Sequence, residues 1–176
     1  MGTRKPPKAA VLLPKRIGRA SGRRSRGSEV VTVSEHSVFP ASREDLWKVL
    51  RLHLDDEVIT RIHPNIQSQK RVGAEGDRSV MERTVRYYGR TFGLTVRYDM
   101  VPPERFRWEI IGSTAGVTPG SYVENRYEDA GSATNVNTRG EMTLRGVPKL
   151  LEGLFVSRLL GQADTEDLRY LRKLRI

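Results

Sequence analysis

Arg90-Thr-Phe-Gly-Leu-Thr-Val-Arg-Tyr-Asp-Met-Val101 is the most strictly alternating stretch of the chain. Phe92, Leu94, Val96, Tyr98 and Met100 fall on one side. Thr91, Gly93, Thr95, Arg97 and Asp99 fall on the other. Successive strand side chains point to opposite faces, so this period of two predicts a strand with one dry and one wet face. Gly89 turns the chain before it and Pro102–Pro103 ends it, because proline cannot donate to a ladder.

The same pattern extends in both directions. Upstream, Asp77 to Tyr88 is a strand with Met81, Arg83, Val85 and Tyr87 on one face. Ile66 to Val72 is another, joined to it by a turn over Gly73 to Gly76. Downstream, Phe106, Trp108 and Ile110 alternate against Arg107 and Glu109. Gly112 to Gly120 reads as a loop of small residues at the mouth of the fold. Tyr122 to Glu128, carrying Val123, Asn125 and Tyr127 on one side, and Thr134 to Leu144, carrying Met142, flank a turn at Asp129–Gly131. Short connections between six strands predict an antiparallel meander.

Ahead of the meander, Val30 to Phe39 is rich in β-branched residues and predicts a further strand, with Val31, Val33, Glu35, Ser37 and Phe39 on one face. Ser42 is placed to cap a helix, with Asp45 three residues on. Leu46, Val49, Leu50 and His53 then recur at helical spacing, flanked by Trp47. A second short helix spans Asp55 to Ile62 and stops at Pro64. At the other end, Val147 to Ile176 loses the strand period. Leu150, Leu151, Leu154, Phe155, Leu159, Leu160, Leu168, Leu171 and Leu174 recur there at helical spacing, predicting a long helix that covers the dry face. The expected class is α+β: a seven-stranded antiparallel curved sheet, two short helices after the first strand, and a long C-terminal helix.

Composition bounds what such a chain does. Its 176 residues suit one domain with a real core, and 37% apolar residues are too many for a wholly disordered chain. The absence of cysteine excludes disulfides, thiolate zinc sites and cysteine nucleophiles. No apolar run reaches the roughly 18 residues of a transmembrane helix, and no secretory h-region is present, so a cytoplasmic protein is expected.

The net charge of +10 invites a nucleic-acid reading until its position is considered. Residues 1–28 hold nine basic side chains (Arg4, Lys5, Lys8, Lys15, Arg16, Arg19, Arg23, Arg24 and Arg26) and no acidic one. The chain from Glu29 carries 22 basic against 21 acidic residues and is almost neutral. Residues 1–28 also hold Pro6, Pro7, Pro14, Gly18, Gly22 and Gly27, with no aromatic residue. Such a segment buries too little to offset its ordering entropy, so it reads as a disordered basic tail before a domain at 29–176. It would be a solvated extension, a transit peptide, or a contact for RNA, a ribosome or an anionic membrane surface.

The order of elements resembles the START-like superfamily, also called SRPBCC, which includes polyketide cyclase-like, coenzyme Q-binding-like and lipid-transfer proteins. Phe39-Pro-Ala-Ser-Arg-Glu-Asp-Leu-Trp47 is similar to that family's entry into its first helix, with Ser42 where the pattern has proline. His63-Pro-Asn-Ile66 resembles the segment between the second helix and the second strand, and Asp164-Thr-Glu-Asp-Leu-Arg-Tyr-Leu-Arg-Lys-Leu174 resembles the closing helix. The resemblance covers residues 29–176. It implies a helix-grip fold, a sheet wrapped round the last helix with an apolar cavity between them, and it leaves the ligand open.

Chemistry is sparse. His36, His53 and His63 share no metal-ligand spacing, and although His53 and Asp56 match part of an iron-binding pattern, the rest of it is missing, so no metal and no cofactor are expected. The loop from Gly112 is neither a dinucleotide nor a phosphate-binding motif, and no nucleophile elbow is present. That leaves the cavity. Its expected lining is Phe39, Met81, Val85, Tyr87, Phe92, Leu94, Tyr98, Phe106, Trp108, Tyr127, Met142 and Leu154, with Arg83 and Asn125 as polar members. Glu35 and Arg83 would contact a ligand oxygen, act as acid and base in a cyclisation or dehydration, or pair with each other as an internal ion pair. Three functions follow: binding or transport of a hydrophobic molecule such as a lipid, quinone or polyketide; a cyclase or dehydratase; or a ribosome- or nucleic-acid-associated protein held by its tail.

Overall fold

A computed structural model describes residues 21–23, 30–63, 65–87, 89–114 and 117–144, with no side-chain description for 21–23 or Tyr87. Its strands are β1 Ser21–Arg23, β2 Val30–Phe39, β3 Ile66–Glu75, β4 Arg78–Tyr87, β5 Arg90–Val101, β6 Arg105–Ser113, β7 Tyr122–Ala130 and β8 Ala133–Thr143. Helix α1 spans Arg43–Arg51, a 3-10 turn covers Leu52–Leu54, and α2 spans Asp56–Ile62. The strands form one antiparallel sheet in the order β1-β2-β8-β7-β6-β5-β4-β3. The meander is therefore continuous from β3 to β8, and β2 pairs along its whole length with β8, from Val30 opposite Thr143 to Phe39 opposite Thr134.

Three differences from the sequence-based expectations have physical causes. The sheet has an eighth strand, because Ser21–Arg23 pairs with Val30–Thr32 at the edge of β2. This stretch lies within the segment expected to be unfolded. Strand β3 runs on to Glu75 rather than stopping at Val72, because a bulge between Arg71 and Gly73 absorbs the break in alternation. The tight turn is left to Gly76, whose φ of 55° suits glycine. The loop expected over Gly112–Gly120 is shorter, since β6 continues to Ser113 and Val117 bridges to Leu144. The expected C-terminal helix at 147–176, including Leu154, lies outside the described residues.

The helices form where the sequence supplies caps. Ser42 accepts a hydrogen bond from the Asp45 backbone N–H at 3.2 Å, and Asp55 accepts from Glu57 and Val58 at the start of α2. Helix α1 buries Leu46, Trp47, Val49 and Leu50 and lies against β7 and β8, while α2 lies against β3. The corner between β2 and α1 is pinned by Thr134, whose fully buried hydroxyl donates to the Ala41 carbonyl at 2.8 Å.

Strands β2 and β4 to β8 send alternate residues into one core. Val31, Val33, Met81, Val96, Tyr98, Phe106, Ile110, Val123, Val136 and Met142 are buried together with the apolar face of α1. Gly140 stands among them without a side chain, because a Cβ there would lie 3.0 Å from the Val123 Cα and would also meet the Tyr122 carbonyl oxygen. The opposite face is a charged lattice. Arg97 pairs with Glu109 at 2.9 Å, Arg105 with Asp99 at 3.3 Å and Arg126 with Glu124 at 2.9 Å. A shallow cleft of about 200 Å³ on that face is lined by Arg78, Arg97, Asp99, Arg105, Arg107 and Glu109. Ion pairs in such a setting contribute little to stability and keep the face wet.

Candidate functional site

The inner face is organised around Phe106, which is almost fully buried. Tyr98, Trp47 and His53 surround it, with ring centroids 5.3, 6.3 and 5.9 Å away. Trp47 also meets Tyr127 edge-on at 5.9 Å. Edge-to-face and tilted arrangements are those that ring quadrupoles favour. Sequence places these rings together for simple reasons. Tyr98, Phe106 and Tyr127 occupy inward positions on β5, β6 and β7, and Trp47 projects from the buried side of α1.

A polar cluster adjoins this aromatic group. The Arg83 guanidinium lies over the Tyr98 ring at 5.0 Å. Its Nε donates to the Gln69 Oε1, and its Nη2 donates to the His53 carbonyl at 3.0 Å. The Gln69 amide nitrogen donates both to the same His53 carbonyl and to the Asp56 carboxylate, each at 3.1 Å. The His53 and His63 rings pack edge to face, with their Nε2 atoms 3.3 Å apart. Asp56 also accepts from the Arg71 backbone N–H at 3.2 Å, tying the start of α2 to β3.

Two polar atoms on the inner face are sealed and unpartnered, the Trp47 Nε1 and the Asn125 Oδ1. Asn125 faces Phe106 across the β6–β7 ladder and lies two residues before Tyr127, so Trp47 packs on both residues that bracket it.

The expected lining maps onto this face as follows. Phe39, Met81, Val85, Tyr98, Phe106, Tyr127 and Met142 are buried. Phe92, Leu94, Trp108, Arg83, Asn125 and Glu35 are half-buried. The Tyr87 side chain and Leu154 lie outside the described residues. Arg83 and Glu35 do not form the internal ion pair that was one expectation. Arg83 sits on β4 and Glu35 on β2, with four strands between them in the sheet, and the described contacts of Arg83 are Gln69, His53 and Tyr98. Glu35 instead lies opposite Thr138 on β8.

Gln69 and His63 were not legible as members of the site. A bulge between Ile66 and Ser68 shifts the alternation of β3, so Gln69 is buried where strict period two would set it apart from Ile66. No signal in the sequence singles it out, because Gln69 stands in an unbroken polar run from Gln67 to Arg71. Among the described residues no group of three or more histidine, cysteine or carboxylate side chains is placed to hold a metal ion. No helix among them is long and apolar enough to cross a membrane.

Curated protein sequences yield no match. Solved structures do. A START superfamily protein from Mycobacterium smegmatis superposes with a TM-score of 0.69 at 15% identity, over 81% of this chain and 98% of that one. The Zhui aromatase/cyclase from a Streptomyces species gives 0.68 at 16% identity, over 82% and 94%. Ara h 8.0201 gives 0.66 at 19% identity, over 82% and 99%. At these identities the likeness is one of fold. The sequence itself matches the family described as polyketide cyclase / dehydrase and lipid transport over residues 30–174, nearly the whole domain. Sheet order, capped helices and sequence match agree, and the chain belongs to that family, within the START-like superfamily.

Proposed function

We propose that this protein binds a hydrophobic small molecule against the inner face of its curved sheet. A lipid, a quinone, a polyketide or another aromatic compound has the required chemistry. The observation that carries this reading is the make-up of that face: aromatic rings and methionines gathered round Phe106, with Arg83, Gln69, Glu35 and Asn125 as sparse polar points. Small-molecule sites are built in this way, with apolar walls for affinity and a few polar groups for orientation. The family description, which names both cyclase and lipid-transport members, supports the same reading. Binding would draw on apolar burial, worth about 25 cal/mol per Å² before ordering costs.

Native mass spectrometry of protein purified from its own host tests the proposal. An apolar species that co-purifies and is released on unfolding is the expected result. Protein that carries none, and that takes up none from a panel of lipids, quinones and aromatic polyketides, would overturn it.

A cyclase or dehydratase activity is the second reading, favoured by the inward placement of both Glu35 and Arg83. Because the two stand on distant strands, they would act on separate atoms of one ligand rather than on each other. Turnover of a poly-β-keto substrate that is unchanged in Glu35→Gln would remove Glu35 as its base. A contact between residues 1–28 and an anionic partner such as RNA, a ribosome or a membrane surface rests on charge alone and is independent of the cavity.

A further inference from the structure

Among the half-buried arginines of the described residues, Arg43, Arg83, Arg105 and Arg107, Arg83 differs in having no carboxylate partner; the exposed Arg71, which donates to the Leu54 carbonyl at 3.0 Å, has none either. Arg43, Arg61, Arg78, Arg97, Arg105, Arg107 and Arg126 each have a carboxylate within 4.0 Å. Arg83, half-buried on the inner face, has none among the described residues. Its described contacts are all formally neutral: the Gln69 side-chain carbonyl, the His53 backbone carbonyl and the Tyr98 ring. A guanidinium cannot shed its proton to escape that setting, as a lysine or histidine does.

The same contacts fix the group. Nε and one Nη2 hydrogen are committed, and the guanidinium carbon lies 5.0 Å from the centre of the Tyr98 ring. The fork of five donors therefore keeps Nη1 and the second Nη2 hydrogen for another acceptor. Arg83 itself is only half-buried, which leaves these donors a route to a ligand. Gln69 is itself held by Asp56 and by the His53 carbonyl, so the anchor of Arg83 is anchored in turn. An oriented, uncompensated cation beside an aromatic wall is what a planar, two-oxygen anion recognises.

We infer that the ligand is an amphiphilic acid, its apolar body on the rings round Phe106 and its carboxylate on the free nitrogens of Arg83. This deepens the binding function proposed above and rests on it. A fatty acid and an aromatic acid share this chemistry, and the test separates them.

The experiment uses the full chain with two matched pairs of probes, dodecanoic acid with methyl dodecanoate and 2-naphthoic acid with methyl 2-naphthoate. Affinity is read by calorimetry at pH 7. The expected result is that one acid binds about tenfold or more tightly than its ester, the scale of a hydrogen bond to a charged group. The pair that shows the preference identifies an aliphatic or an aromatic body. Arg83→Met should remove the preference, acid and ester then binding with similar affinity. Arg83→Lys should restore only part of it, because a point charge lacks the fork. Lowering the pH through the acid's own titration should also weaken acid binding in the native protein and not in Arg83→Met. Equal affinity for acid and ester, or a preference that survives in Arg83→Met, would overturn the assignment of an acid while leaving apolar binding intact. Failure of all four probes, esters included, would overturn both this inference and the binding function beneath it.

Discussion

The Nε2 atoms of His53 and His63 approach to 3.3 Å, one from the 3-10 turn after α1 and the other from the residue that ends α2. A hydrogen bond between two such nitrogens needs one N–H and one lone pair, so the rings take opposite tautomers at that position. Long-range proton–nitrogen spectra should show one ring protonated at Nε2 and the other carrying its Nε2 lone pair. His63→Phe keeps a ring and deletes the contact, and should cost about 1 kcal/mol of stability in urea. The double variant His53→Phe/His63→Phe should cost less than the two single changes added together. An additive result would show that the two rings do not interact.

Asn125 makes the opposite forecast. Its Oδ1 is sealed on the inner face without a donor. An unpaired buried acceptor is a cost to folding. Asn125→Leu is close to isosteric and should leave stability unchanged or raise it by about 1 kcal/mol. A loss of that size, measured by thermal unfolding, would mean that the carbonyl finds a partner in solution.

Gly140 marks the tightest approach between β7 and β8. Gly140→Ala would drive a methyl group against the Val123 backbone and the Tyr122 carbonyl, neither of which is the free end of a flexible side chain. Overpacking of this kind costs about 1–3 kcal/mol. Gly131, at the exposed turn between the same strands with φ of 73° and open space around it, provides a control. Its alanine variant should report backbone strain alone. If Gly140→Ala matches the native unfolding midpoint, the strands are not held this closely.

Stability at acid pH should depend on the first turn of α1. The Lys48 ammonium, hydrogen-bonded to Asp45 at 2.6 Å, and after it the Ser42 hydroxyl hold the Asp45 carboxyl below its ordinary value of 3.8. The folded state thus prefers the ionised carboxyl. The resulting stabilisation is complete above about pH 4 and is lost as pH falls through the lowered value. The stability gap between the native protein and Asp45→Asn should narrow on acidification below that point. A gap that stays constant would show that Asp45 gains nothing from its partners. Ser42→Ala removes the cap itself and should cost about 1 kcal/mol at neutral pH.

Much of this architecture is written locally. Phe92 to Met100 alternate so regularly that β5 ends where sequence places it, at Arg90 and Val101. Ser42 announces its helix because a cap is chosen by residues within one turn, and Asp55, expected as the first residue of the second helix, caps it instead. The inward faces of β4, β5, β6 and β7 follow in the same way, so the rings of the candidate site were visible as a set. What sequence could not supply was how distant strands sit relative to one another. Glu35 and Arg83 share an inward orientation, but sheet order sets four strands between them, and no local pattern encodes that number. Gln69 escaped notice for another reason. A bulge moves one residue out of phase, and period-two reasoning carries the error along the rest of the strand.

The short strand β1 has a bearing on how the basic segment can be removed. Ser21–Arg23 supplies backbone partners to Val30–Thr32 at the outer edge of the sheet. A chain cut to begin at residue 29 would strip those partners and leave a β-branched edge with open amide and carbonyl groups, a template for pairing with a second molecule. A cut before Ser21 discards six of the nine basic residues and spares the edge. Light scattering should find the longer truncation self-associating and the shorter one monodisperse at the native level. Only the shorter one would let RNA or liposome binding be compared with the full chain across salt without aggregation mimicking affinity.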